Sequence, residues 1–517
     1  MGGSVAWKGE HIQGRAKYTS LYRRRNNSTG SSRPLLDSSP LNRGIAGQTL
    51  AGLGRLFGSY PRPALGTLPC FSPFDHFEML HRDERRIVMT QAVLVPGVAG
   101  VTAPARSPPS PPGHAGLQYR RRVRRNRLRS GLNMLENPAD VALMPKHIFI
   151  TGATGFLGRS LLQRFLKDTN NILYLLARSQ TAEEYLIDEL AWADVARIKI
   201  VRGDITRPRL GLETRAVRSL ATAIDEVWHT AAATQFADTY KPLLAATNVQ
   251  GTKHVLDLGT FFKRMTGFYY LSTAYVCGSR RGRVPEGAFA APASFNNAYE
   301  ESKYDAECLV RSSGLPFTII RPSILIGDSR TGDATGERSR VIYGYILAVY
   351  HAILRLFPNE IEFWKQWENR SESRRCAIDL RLCGASSVTK NLITVDDAVN
   401  VCLAIRESRD RGGKTFNVVN ERSLTLASML ESLQTLLKVH GITFEPGLSL
   451  SDIKIARNPA ETFAYKMTRQ FRPYARVPEP SWMTDNVERL GVARIPMTPQ
   501  LFTFLVRAYM RSHLLVN

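Results

Sequence analysis

Residues Lys146–Gly158 read KHIFITGATGFLG, a short apolar run that empties into a loop with glycines at 152, 155 and 158. His147–Ile150 has the character of a buried parallel strand, and Leu157, Leu161, Leu162 and Phe165 then recur at helical spacing. The glycines therefore lie between a strand and a helix. In that setting Gly152 allows a tight turn, Gly155 lets the backbone approach a pyrophosphate with no Cβ in the way, and Gly158 lets the helix pack against the strand. N–H groups at the helix start would hold the negative charge. The spacing alone also occurs in plain turns, so the flanking strand and helix carry the reading.

From Met144 onward strands and helices alternate, which implies an α/β fold with a doubly wound parallel sheet. Asn171–Ala177 is the second strand and Arg178 stands at its end. An acidic residue roughly 20 positions beyond such a glycine loop suits an adenosine ribose, whereas an arginine suits a 2′-phosphate. Arg178 thus points to NADP(H) over NAD(H), with Arg159 in reach of the same phosphate; an ordinary surface arginine is the alternative. Ile198–Val201 forms a third strand leading to Gly203, Asp204 and Ile205, where the carboxylate would meet an adenine amino group or simply close a turn. Glu226–His229 opens a fourth strand that runs into Ala231, Ala232 and Ala233, small enough to pass close to a flat cofactor. His229 reads as a packed core residue and is left out of the chemistry.

Gly267–Cys277, GFYYLSTAYVC, reads as a fifth strand ending in Ser272 and Thr273, and Tyr299 and Lys303 follow four apart on one helical face. An ammonium beside a phenol lowers its pKa from about 10 toward neutrality, which makes it a proton donor or acceptor at working pH. A Thr273 hydroxyl would hold a substrate carbonyl oxygen in the same place. The Tyr-xxx-Lys spacing is common by chance, so its order after the glycine loop and the Ser-Thr strand is what gives it meaning.

Several ordered motifs now accumulate: TGATGFLG (151–158), the Asp204 turn, HTAAAT (229–234), NVQGT (248–252), LSTAYVCG (271–278), YEESK (299–303) and IIRPSILIG (319–327). Over about Lys146–Asn420 the chain resembles the extended short-chain dehydrogenase/reductases. GDITRPRLGL (203–212) and STAY (272–275) are similar to the thioester and fatty acyl reductase branch, the male-sterility type, rather than to the sugar-nucleotide epimerases. The resemblance implies Tyr299 as general acid, Lys303 as its electrostatic partner and ribose ligand, and Thr273 at the family's hydroxyl position, with Ser272 second. It also implies a cofactor cradle of Gly152, Thr154, Gly155, Phe156, Leu157, Gly158, Arg159, Arg178, Asp204, Ile205, Ala231, Ala232, Asn248 and Pro322, shared with Tyr299 and Lys303. For Asn248 a packing or capping role is an equal alternative. The implied activity is NADPH-dependent reduction of an acyl thioester, on CoA or a carrier, to aldehyde or alcohol. An epimerase, dehydratase or hydroxysteroid-type dehydrogenase is the alternative, and a non-catalytic dinucleotide sensor or nucleic-acid binder is a third.

The formal net charge of the 517 residues is +24, and residues 1–143 alone hold 21 Lys and Arg against 8 Asp and Glu. That segment, with PARSPPSPPG and YRRRVRRNRLR, reads as a disordered basic extension: a solvated basic run, a transit segment, or sequence ahead of a true start at Met134 or Met144. High charge alone suits a phosphorylated cofactor and substrate as well as it suits nucleic acid or an acidic membrane surface. Cys70, Cys277, Cys308, Cys376, Cys383 and Cys402 show no metal spacing, so no metal is expected and the thiols read as reduced in the cytoplasm, or in an organelle if a transit segment is present. Residues 144–330 read as the NADP-binding Rossmann domain and 331–517 as a substrate-binding portion, with 391–420 returning to the first. In that portion Val341–Leu356 reads as a helix lining an apolar pocket or as a core helix, and Asp396 as a helix cap. Beyond Leu424 the chain reads as helical, ending in the amphipathic basic stretch Leu501–Leu515, which would cover the substrate site or meet a membrane or partner. Oligomeric state is left open.

Overall fold

The computed structural model describes residues 145–513, apart from 169, 191–194, 336–340, 358, 360–370, 372–374 and 449–455. The basic segment 1–143 and the candidate starts at Met134 and Met144 lie outside the described residues. Seven parallel strands form one sheet: β1 (His147–Thr151), β2 (Ile172–Ala177), β3 (Ile198–Arg202), β4 (Glu226–His229), β5 (Gly267–Leu271), β6 (Phe317–Pro322) and β7 (Thr415–Val418). Their spatial order is 7-6-5-4-1-2-3. The order reverses beside β1, between β4 and β2, and that is where an open parallel sheet leaves a crevice at its carboxyl edge.

Because both faces are covered by helices, the strands are nearly continuous apolar runs. Along β1 the side chains alternate. Ile148 and Ile150 pack on one face with Leu161, Leu162 and Phe165 of α1 (Phe156–Asp168), and Phe149 packs on the other with Leu220, Val255 and Leu256. Trp228 and Tyr269 stack across β4 and β5, ring centroids 4.2 Å apart. The second face carries α2 (Gly251–Gly259) and α3 (Ala298–Ser312), the helix that bears Tyr299 and Lys303.

A separate core builds the C-terminal half. It joins α4 (Ile342–Leu354), the strand Cys376–Cys383, α6 (Leu426–Leu437), the strand Val439–Glu445 and α8 (Pro499–His513), while α5 (Val395–Glu407) returns to the main sheet and α7 (Pro459–Met467) packs on α4. Two expectations change here, and one pair of alternatives is decided. The region after Leu424 is not only helical, because Val439–Glu445 pairs in parallel with Cys376–Cys383. The apolar face of α8 is used internally: Phe502, Leu505, Val506 and Tyr509 are buried against this core. In α4, Tyr343 stacks on Tyr509 at 3.9 Å and accepts the Gly327 N–H, so most of that helix is core; Tyr345 alone turns its ring to Phe471, at 6.1 Å. Among the described residues no helix is long and apolar enough to cross a membrane.

Candidate active site

The glycine turn sits at the carboxyl end of β1. Gly152 has φ +76°, and a Cβ there would lie 2.5 Å from the Ala231 nitrogen; a Cβ at Gly158 would lie 2.2 Å from the Gly152 carbonyl oxygen. Both positions therefore require glycine on contact grounds, and Gly152 on conformation as well. Gly155 N–H bonds Gly152 O at 2.9 Å, and Arg159 N–H bonds Gly155 O at 2.7 Å. Phe156 and Leu157 turn their side chains into the core, so what they offer outward is backbone N–H at the start of α1, as an anionic pyrophosphate requires. Thr154 is partly buried beside the exposed Gly155.

Arg178 is exposed at the end of β2, and Gly203 N–H bonds Ala177 O at 3.1 Å, which sets Asp204 and Arg178 at adjacent strand ends. The Asp204 carboxylate accepts from Thr206 N–H and hydroxyl, at 2.9 and 2.8 Å, so it closes its own turn. Ile205 is buried and would touch any Cβ at Gly251. Arg159 donates to Asp333 at 3.1 Å, in the loop after Gly327. Asp396, expected to cap its helix, instead accepts from Ser329 N–H and hydroxyl, at 2.9 and 2.6 Å, and pins that same loop. Thr394, not Asp396, occupies the cap position of α5.

Ala231 N–H reaches the Thr151 hydroxyl at 3.4 Å, which holds the small-residue segment against the glycine turn. His229 is enclosed by hydroxyls: Thr151 Oγ1 lies 2.7 Å from Nδ1 and Thr252 Oγ1 2.9 Å from Nε2. Thr252 donates to the Asn248 carbonyl, so its oxygen receives the Nε2 proton and Nδ1 accepts from Thr151. Burial, aided by the Lys303 charge, pulls the ring down to about 3, and it is a neutral structural link. Asn248 lies in a π-helical turn, Ala245–Gln250, that swings its amide onto Ala233 N–H and O, at 2.8 and 2.9 Å, and onto Ser302 Oγ at 2.9 Å. The amide ties the Ala231–Ala233 segment to α3.

Strand β5 ends at Leu271, directly before the expected end at Ser272 and Thr273, and Ala274–Cys277 then forms a tight 3-10 turn. Thr273 is the residue before that turn, with extended backbone, and Tyr275 N–H bonds its hydroxyl at 3.3 Å. The Thr273 hydroxyl lies close enough to the Tyr299 phenol to favour its ionised form. Lys303, only 2% exposed, donates to Leu271 O at 2.5 Å and lies over the Tyr270 ring at 4.3 Å. The threonine, tyrosine and lysine singled out by sequence are thus brought together at the carboxyl end of β5, with Pro322 at the end of neighbouring β6.

The electrostatics differ from the simple expectation for a phenol beside an ammonium. Burial pulls Lys303 down to about 7, with Glu307 opposing, so near neutrality its charge is only partly present. Burial and the neighbouring Glu300 hold the Tyr299 phenol above its ordinary value, against the Thr273 hydroxyl. In the chain alone, the Tyr299 phenol is held in its protonated form.

The substrate side was not legible in advance. Phe236 lies 5.8 Å from Tyr299 and 6.1 Å from Phe471, and Tyr474 packs on Phe236 at 5.8 Å and on Tyr275 at 5.6 Å. An aromatic wall from two distant segments therefore faces the donor. Glu300 had a local signal, since Asn297-x-x-Glu300 has capping-box spacing. Phe471 and Tyr474 had none.

Sheet order, glycine turn and the Thr-Tyr-Lys cluster define an extended-type short-chain dehydrogenase/reductase with an NAD(P)-binding domain. More narrowly, residues 150–367 match the model of the male sterility protein family. The chain is similar to the hybrid PKS-NRPS synthetase gkaA of Penicillium citrinum, 33% identical over 208 residues, covering 37% of this chain and 5% of that protein. It is also similar to the fatty acyl-CoA reductase wat of Drosophila melanogaster, 26% identical over 271 residues, covering 44% and 52%. The chain thus spans only a small part of the synthetase and about half of the reductase. In fold it resembles the terminal R domain of the myxalamid PKS-NRPS pathway, with TM-score 0.56, 24% identity and 72% and 92% of the two chains covered.

Proposed function

We propose that the chain is an NADPH-dependent reductase of an acyl thioester, carried on CoA or on a carrier protein, with aldehyde or alcohol as product. The observation that carries this reading is the grouping of Thr273, Tyr299 and Lys303 at the edge of the sheet that also holds the glycine turn, in a chain whose residues 150–367 match the male sterility protein model. The synthetase and acyl-CoA reductase relatives support the thioester class. Residues of the turn fit a dinucleotide because the missing side chains at 152 and 158 let the turn close tightly on itself and on Thr230 and Ala231, leaving backbone N–H groups at the start of α1 for a pyrophosphate. Exposed Arg178 favours a 2′-phosphate.

When bound, NADPH supplies the hydride. Thr273 and Tyr299 direct their hydroxyls at the substrate carbonyl oxygen and stabilise the negative charge that develops there. Tyr299 gives up its proton to that oxygen, and Lys303, charged below about pH 7 in the chain alone, steadies the phenolate. With a thioester the tetrahedral product collapses by loss of the thiol. Aromatic rings of Phe236, Phe471 and Tyr474 exclude water from the donor.

The test is NADPH oxidation by the full chain with a panel of acyl-CoAs, against NADH and Tyr299→Phe. Turnover is expected with NADPH, slower with NADH, and reduced about 10²- to 10⁴-fold in the variant. NADPH binding without turnover on any acyl thioester, but with turnover of a nucleotide sugar or sterol, would transfer the site to the alternative chemistry.

A further inference from the structure

The start of α3 is capped in a way that reaches beyond local sequence. Asn297 Oδ1 accepts the Glu300 N–H at 3.0 Å, and the Glu300 carboxylate reaches back to Asn296 N–H at 2.9 Å and to its amide at 3.0 and 3.1 Å. A capping box accounts for that much. The box has one more member, Tyr474, 174 positions away in the short helix Arg472–Arg476. Its phenol donates to Glu300 Oε1 at 2.5 Å and accepts from Asn297 Nδ2 at 2.6 Å. Tyr299 lies between Asn297 and Glu300 in sequence. Five residues further on, Glu479 accepts from the Tyr275 phenol and from Asn391 N–H at 2.7 Å, and pairs with Lys390 at 3.1 Å. The segment from Tyr474 to Glu479 is therefore bonded to both motifs that carry Thr273 and Tyr299.

We propose that Tyr474 is a positioning residue of this active site: through its bond to Glu300 it sets the pose and protonation of the Tyr299 phenol. The inference rests on Tyr299 as the proton donor. Glu300 is 0% exposed, so water does not screen its charge, and the like charge disfavours a phenolate next to it. The other groups around Tyr299 are Lys303 on its own helix, the Tyr270 phenol and Thr273 hydroxyl from β5 and its exit, and Tyr474 itself, with the Lys390–Glu479 pair beyond Glu300. Tyr474 disperses part of the Glu300 charge into its O–H bond. Without that bond the carboxylate acts on Tyr299 at fuller strength.

Two conservative variants give opposite signs. Glu300→Gln keeps an amide able to cap the helix and removes the charge, so the Tyr299 titration moves to lower pH by about one unit. Tyr474→Phe keeps the ring and removes the hydroxyl, so the titration moves to higher pH. In the double variant the Tyr474 effect disappears. The measurement is NMR titration of ring-labelled tyrosine in the full chain bound to NADP+, with the Tyr299 signal identified by its loss in Tyr299→Phe. The alkaline limb of kcat follows the same shifts while KM for NADPH stays unchanged. Shifts of the same sign, or none, overturn the proposal and leave Tyr474 and Glu300 as packing and capping groups. If the titrations shift as stated but no acyl thioester turns over, the proposed substrate class falls and the positioning role stands.

Discussion

The glycine turn and the aromatic wall are built by different means. At Gly152, Gly155 and Gly158 the close contacts are made by backbone, within the turn or against the adjacent strand end at Thr230 and Ala231. At the aromatic wall they are side chain to side chain, from phenols to carboxylates across 174 and 204 positions. A phosphate site needs side chains to be missing and N–H groups to be exposed, and a short run of sequence can arrange both. Orienting a proton donor requires a charge placed within a few ångströms by a second segment, and only folding supplies that. The two regions should accordingly fail differently when perturbed.

The largest effect is expected at the ion pair that anchors the donor helix to the sheet. Arg321 on β6 is 1% exposed and bonds Glu307 of α3 at 2.8 and 2.7 Å. Arg321→Met leaves a buried carboxylate without its principal cation and should destabilise the chain by about 3–5 kcal/mol in urea unfolding. A loss under about 1 kcal/mol would mean that α3 is held mainly by its apolar face, and the contrast between the regions would weaken. Next comes Gly158→Ala, whose Cβ meets a backbone oxygen rather than a flexible side chain. It should lower stability by roughly 1–3 kcal/mol and weaken NADPH binding measured by fluorescence, while the Tyr299 titration stays in place. Were the titration to move as well, the two regions would be one coupled unit.

The last effect depends on pH and concerns the buried ring between them. His229 is neutral in the fold with its pKa at about 3, against 6.5 when exposed. The unfolded chain therefore binds the additional proton between those values, so stability contributed by the neutral ring is full above pH 6.5 and is lost as pH falls toward about 3. The slope from this one group is about 1.4 kcal/mol per pH unit at most. Urea midpoints taken across that window should decline less steeply in His229→Gln; equal slopes would assign the acid sensitivity to other groups.

Reading the sequence located the turn, the sheet and the Thr273, Tyr299 and Lys303 cluster because each has a local mark: an apolar run before glycines, small residues after a strand, a four-residue helical spacing. It placed the end of β5 at Ser272 and Thr273, within two residues of the observed Leu271. It missed Val439–Glu445, which is polar at His440 and Thr443 and gains its pairing only from Cys376–Cys383. It expected Asp396 to cap α5, which spacing permits; a loop from elsewhere took the carboxylate. The same holds for Tyr343, whose aromatic character suits a pocket but whose ring is stacked in the core.

Sequence alone determined the class of fold, the place of the dinucleotide turn and the identity of the clustered hydroxyl, phenol and amine, because those depend on periodicity and on glycine geometry within a few residues. Only the tertiary structure decided that Asn248 and His229 serve as ties, that Lys303 sits near half charge, and that Tyr474 and Glu479 reach the two motifs flanking the donor. Those outcomes depend on burial and on distances between segments, which set the strength of every charge and hydrogen bond and which no stretch of chain carries by itself.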